Sequence, residues 1–241
     1  MVPSSKASDD VLKGNITDVP KIAESYVDEV EISKILEPYS YVRIKFDNIS
    51  SEYLYEVIEP MLSEDESILL EMLKNSVVLT IKNSEGKLDR EKESILRAVT
   101  DELLSTMGVN LTMESRERIH YYLRRDFIGY GAIDVMMIDP SVEDCSCDGV
   151  RIPLYIFHRK YGSIKSNVRF ESDEELDSFV VWLAQRCGKH ISVAEPLLDA
   201  TIPDGSRLNA TLGKHVTKRG SSFTIRRFKD NPFTPVDLLR F

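Results

Sequence analysis

No run of about 18 apolar residues occurs in the 241-residue chain, which excludes an apolar membrane-spanning helix within it. The first fifteen residues are polar and carry no apolar core of a secretory signal, so the reading is a cytoplasmic protein. Cysteine is scarce: Cys145, Cys147 and Cys187, an odd and low count that excludes a disulfide framework and fits a reducing compartment. Cys145-x-Cys147 is a tighter pair than structural zinc uses, and Cys187 of Cys187-x-x-His190 lies near a helix end, so no metal is expected. There is no Gly-x-Ser-x-Gly, and His120, His158 and His215 have no nucleophile partner at a suggestive spacing. The phosphate-binding loop Gly-x-x-x-x-Gly-Lys-[Ser/Thr] is also missing. Gly188-Lys189-His190 and Gly213-Lys214-His215 come nearest, and both lack the upstream glycine and the hydroxyl. These residues therefore hold no Mg-ATP through a loop of that kind.

Charge is present in quantity but unevenly placed. The net charge is −9, yet residues 203–241 carry eight basic and three acidic side chains, so that segment is +5 and the remainder −14. A basic segment on an acidic body favours a local anionic ligand over a long polyanion, because the body repels a nucleic-acid backbone.

The organisation reads as a tail, a mainly helical part and an α/β part. Residues 1–15 lack apolar anchors and read as disordered. Val19–Leu36 places Ile22, Tyr26, Val30 and Ile35 at loose helical spacing and is expected to be helix. Residues 41–46 and 53–58 alternate and pair across a turn at 47–51. Three amphipathic helices follow over residues 63–125, the first opened by the capping box Ser63-Glu64-Asp65-Glu66. Beyond Gly129-Tyr130-Gly131 come strands at 142–148, 154–158 and 163–170. A helix then begins at the second capping box, Ser172 to Glu175, and stops at Gly188. Strands at 197–202, 206–212 and 222–228 form a meander, its first turn made by Pro203-Asp204-Gly205.

Alternation within that meander singles out arginines. In one strand Leu208, Ala210 and Leu212 share a face, leaving Arg207, Asn209 and Thr211 on the other. In the next, Phe223 and Ile225 oppose Thr224 and Arg226. Between the two strands runs a basic loop, Gly213 to Gly220. Guanidinium forks match phosphate oxygens, and converging arginines stabilise charge on a transferring phosphoryl group. A solvated, salt-bridged sheet face satisfies the same pattern.

Several segments in order carry a likeness: Gly129 to Asp134, Asp139-Pro140 to Gly149, Tyr155 to Ile164, Pro196 to Asn209, Arg219 to Phe228, and Phe233 to Leu239. Together with Glu37–Val42 and Val57–Pro60 they resemble the N-terminal domain of the archaeal branch of the type II/IV secretion ATPase superfamily, which includes archaellum motor and pilus-assembly ATPases. The resemblance implies an α+β protein: a helical region with a short strand pair over residues 16–127, then a PAS-like α/β domain over 128–229. Residues 230–241 would begin a linker to a C-terminal ATPase domain. It implies a homo-hexamer at the cytoplasmic face of the membrane, meeting a polytopic membrane platform protein and pilin or archaellin machinery. ATP and Mg would be held by the ATPase domain of the full-length enzyme, and none by the residues given. The phosphate-contacting residues would be Arg207, Arg219, Arg226 and Arg227 of this chain. Two other readings stand beside it: a free-standing adaptor or scaffold domain, and a nucleic-acid-binding module, against which the net charge weighs.

Overall fold

The computed structural model describes residues 27–82 and 89–228. The expected tail at 1–15, Pro20, Ile22 and Tyr26, and the linker at 230–241 lie outside the described residues. The fold is α+β. Its strands are β1 (Val27–Leu36), β2 (Ser40–Asp47), β3 (Glu52–Ile58), β4 (Val142–Cys147), β5 (Tyr155–His158), β6 (Gly162–Ser166), β7 (Leu197–Thr201), β8 (Arg207–Thr211) and β9 (Ser222–Arg226). The helices are α1 (Glu64–Lys82), α2 (Asp89–Thr106), α3 (Met113–Phe127), α4 (Asp134–Ile138) and α5 (Asp173–Arg186). The described strands form one sheet in the order β1-β2-β3-β6-β5-β4-β9-β8-β7.

The helix expected up to Leu36 is instead strand β1 from Val27 onward, paired with β2 along its length. Register shifts between Glu29 and Glu31 and between Lys34 and Leu36 insert bulge residues. The inserted residues are Val30 and Ile35, the two described members of the expected helical spacing, and each bulge breaks the two-residue alternation that marks a strand. The strand pair of the sequence is therefore a three-stranded ribbon. It continues the main sheet through the parallel β3–β6 pair, Leu54 beside Lys165 and Tyr55 beside Ser166. The Asn167 amide clamps this seam, donating to the Val57 carbonyl at 2.9 Å and accepting from its N–H at 2.8 Å. Beneath the seam the fully buried Tyr55 hydroxyl donates to Asp139 at 2.9 Å.

Helices α1–α3 form a satellite with its own core of Leu70, Leu73, Val77, Leu96, Leu104, Ile119 and Leu123. The first capping box closes in both directions. Ser63 Oγ accepts from the Glu66 N–H at 3.2 Å and Glu66 Oε2 accepts from the Ser63 N–H at 2.9 Å. Glu59 ties the satellite to the sheet, accepting from Tyr121 at 2.6 Å and Arg125 at 2.8 Å.

The main core lies on one face of the sheet. Cys145, Cys147, Ile156, Ile164, Leu208, Ala210, Phe223 and Ile225 point inward, against α4 and the buried stripe Leu176, Val180, Leu183 and Ala184 of α5. Each such fully buried aliphatic chain contributes roughly 1.5–3 kcal/mol. The second capping box differs in detail from the first. Ser172 Oγ caps the Glu175 N–H, but the Glu175 carboxylate accepts from the N–H of Glu171, one residue before the cap. With the core packed on one side, the other side of β5, β4, β9, β8 and β7 is left facing water.

Candidate functional site

The open face is generated by the pleat. Leu208 and Ala210 of β8 and Phe223 and Ile225 of β9 are buried, so Arg207, Asn209, Thr224 and Arg226 must emerge opposite them. The turn that sets this register needs glycine: Gly205 has φ +90°, and the Asp204 carboxylate accepts from the Ser206 N–H at 2.8 Å.

Register then places Arg207 directly opposite Arg226. Like charges at such a position repel, and two carboxylates offset the repulsion. Asp199, diagonal to Arg207 across β7, takes its fork with both oxygens, at 3.1 and 2.7 Å. Asp144, directly opposite Arg226 on β4, accepts from its Nε at 3.0 Å. The four groups form a −++− line across four strands, and the arginine side chains remain 65% and 78% exposed. The hydrogen bond and charge of Arg207 hold the Asp199 carboxyl below its ordinary range, and Asp199 in turn raises the guanidinium. These forks are water-accessible and oriented, so an incoming phosphate can replace a carboxylate without any move of the backbone.

The other two arginines expected at the site are elsewhere. Arg219 sits at the far end of β9, separated from Arg226 by the whole strand. Its carbonyl packs so closely on Gly149 that a Cβ there would lie 2.6 Å from it. Arg227 turns away to the 139–142 bend, where its Nη1 donates to the carbonyls of Asp139 and, at 3.0 Å, Val142. The structure thus brings together Arg207 and Arg226, stations Arg219 on a separate loop and gives Arg227 a backbone-stapling role. The basic loop folds back on α5: Lys214 pairs with Asp173 at 2.6 Å, and Ser221 donates to Asp177.

The cysteines do not reach this face. Cys145 and Cys147 point into the core, where burial raises both thiols, Cys147 to about 11. Cys187 caps α5. Among the described residues no group of three or more His, Cys, Asp or Glu side chains could hold a metal ion, and no helix is long and apolar enough to cross a membrane.

Four residues of the open face escaped the sequence reading. Asp199 was legible in principle, because the Pro203–Gly205 turn fixes it diagonal to Arg207. Asp144 required the pairing of β4 with β9, which joins segments some 80 residues apart and leaves no local signal. Tyr155 and Phe157 are the others. Tyr155, Ile156, Phe157 and His158 give no polar alternation, yet the aromatic rings of 155 and 157 emerge while Ile156 and His158 are buried. Phe157 lies opposite Asp144, and Tyr155 opposite both Ser146 and Lys165.

No protein-family model matches the chain. Among solved structures, the VirB11 ATPase from the Brucella suis type IV secretion system in complex with sulphate overlaps 45% of this chain and 33% of its own. The TM-score is 0.36 at 18% identity, too low to establish a shared fold or activity. Two long proteins of Methanocaldococcus jannaschii contain a related segment, and both are uncharacterized. MJ0900 is 35% identical over 131 residues, 54% of this chain and 24% of that one. MJ0781 is 35% identical over 111 residues, 46% of this chain and 15% of that one. A third protein of the same archaeon, the uncharacterized MJ1288, is 41% identical over 206 residues, 80% of this chain and 82% of its own length. At that identity and mutual coverage, the chain belongs to the family of MJ1288.

Proposed function

We propose that this chain is the arginine-donating N-terminal module of a secretion- or archaellum-type ATPase. Its open sheet face would meet a nucleotide held by a RecA-like domain. The observation that carries the reading is the Arg207–Arg226 pair, directly opposed on an exposed face and oriented by Asp199 and Asp144. Asp199 and Asp144 orient the two guanidiniums yet leave most of each in water, and a polyphosphate is the anion that two adjacent forks fit best. The ordered run of segments from Gly129 to Phe228 that resembles the secretion ATPases supports the same reading. So does the occurrence of the related segment as a minor part of two much longer relatives, where a longer stretch of other sequence accompanies it.

In this reading ATP and Mg sit in the partner domain, and charge on the phosphates draws the module toward it by rigid-body rotation. A hexameric ring of such subunits would pass the motion to pilin or archaellin machinery at the cytoplasmic face of the membrane, through a polytopic platform protein. A second reading is favoured by MJ1288, 82% of which is the matched segment. The module would then work as a free-standing adaptor that docks on a separate ATPase and supplies its arginines in trans.

The test is ATP turnover by the complete natural gene product, alone and mixed with a partner ATPase. Arg207→Ala and Arg226→Ala should each lower turnover at least about tenfold, since arginines on a transferring phosphoryl group carry large effects. Both side chains are exposed, so the melting temperature should stay unchanged. Turnover that ignores both substitutions removes the arginine reading.

A further inference from the structure

The open face carries more than arginines. One row of directly opposed residues runs across four neighbouring strands: Phe157 on β5, Asp144 on β4, Arg226 on β9 and Arg207 on β8. All four side chains are on the water side, and Phe157 is 45% exposed. In the row beside it stand Tyr155, 39% exposed, then Ser146, Thr224 and Asn209. Among the described residues neither exposed ring stacks on another aromatic side chain.

The structure assigns to this row the recognition of a whole nucleoside polyphosphate, read in the order base, sugar, phosphates. The inference rests on the arginine reading above and extends it from the phosphates to the base and sugar. Phe157 offers a flat apolar face on which a base can stack, with Tyr155 one pleat away. Asp144 comes next. Its Oδ1 engages Arg226, and the carboxylate can accept a hydrogen bond from a ribose hydroxyl, as acidic residues do in dinucleotide sites. Arg226 and Arg207 follow as the phosphate forks. With strands about 4.8 Å apart, Phe157 lies about 10 Å from Arg226 and about 14 Å from Arg207 along the row. That span is comparable with the reach of one nucleotide from its base to its terminal phosphate.

A single-stranded nucleic acid fits less well. Beyond Arg207 the line ends on Asp199 at edge strand β7, and on the other flank Lys165 is already paired with Glu52. Among the described residues no continuous basic track leads a backbone across the face.

The experiment uses this chain as it stands, without Mg, and titrates ATP and inorganic tripolyphosphate by calorimetry and amide chemical shifts. ATP should bind about tenfold tighter than tripolyphosphate, the difference reporting the stacked base. Phe157→Ala should bring ATP down to the tripolyphosphate level, and Phe157→Tyr should restore it. Arg226→Ala should weaken both ligands. Equal binding of the two ligands, indifference of ATP to Phe157→Ala, or no ATP binding at all overturns the base-and-sugar assignment. So does a single-stranded oligonucleotide that binds more tightly than ATP. Tripolyphosphate binding that ignores Arg207→Ala and Arg226→Ala counts instead against the arginine reading, which keeps the two failures separate.

Discussion

His120 and His158 are the histidines that the fold removes from water, at 4% and 7% exposure. Burial comes first in lowering both pKa values from the ordinary 6.5. Arg97 adds to the effect at His120, and Lys160 and Arg159 add to it at His158; Asp101, and Asp139 with Glu31, oppose it. A lowered folded pKa means that the unfolded chain binds these protons more tightly than the native one. Their contribution is therefore intact above the unfolded value near 6.5 and is lost as pH falls below it. Urea midpoints measured at pH 7.5 and 5.5 should show the wild type losing stability on acidification. The double variant His120→Gln/His158→Gln should lose distinctly less over the same interval. Equal losses would mean that other groups govern this window.

At the scale of elements, local chemistry was the legible part. Both capping boxes open helices where the sequence places them, and Ser63→Ala should cost ~1 kcal/mol, read as a shift in the urea midpoint. A midpoint unmoved by this change would mean that the satellite's packing, and not its cap, fixes the start of α1. The meander was equally readable, because Pro203-Asp204-Gly205 pins its register and each strand alternates cleanly. Illegibility had physical causes. In β1 two bulges broke the alternation, so a strand mimicked a helix. In β5 four successive apolar or aromatic residues hid which rings would emerge. The site followed the same rule. Arg207 and Arg226 were set by alternation within their own strands, whereas Arg227 sits just past the end of β9, where alternation no longer dictates direction and backbone carbonyls captured it. Asp144 became visible only through strand pairing at long range.

At the scale of the whole molecule, Tyr55 joins two regions distant in sequence. Its hydroxyl satisfies the buried Asp139, and burial together with that carboxylate pushes the phenol far above its usual range. Tyr55→Phe would strand a buried acceptor at a cost of ~1–3 kcal/mol. The chain has one tryptophan, Trp182 on α5, which reports on the opposite half of the fold. Its fluorescence midpoint should fall by the same amount as the far-ultraviolet dichroism midpoint, because the sheet is continuous. A Trp182 transition untouched by Tyr55→Phe would mean that β1–β3 melt separately. The seam above Tyr55 also bears on how the protein is made. Val57 and the Asn167 that clamps it are 110 residues apart, so at 5–20 residues per second a ribosome needs roughly 5–20 s to deliver the second after the first. Helices α1–α3 can close on local contacts during that wait. The outer edge of β3 cannot, and through those seconds the nascent ribbon presents an unpaired strand to any neighbouring chain on the same message.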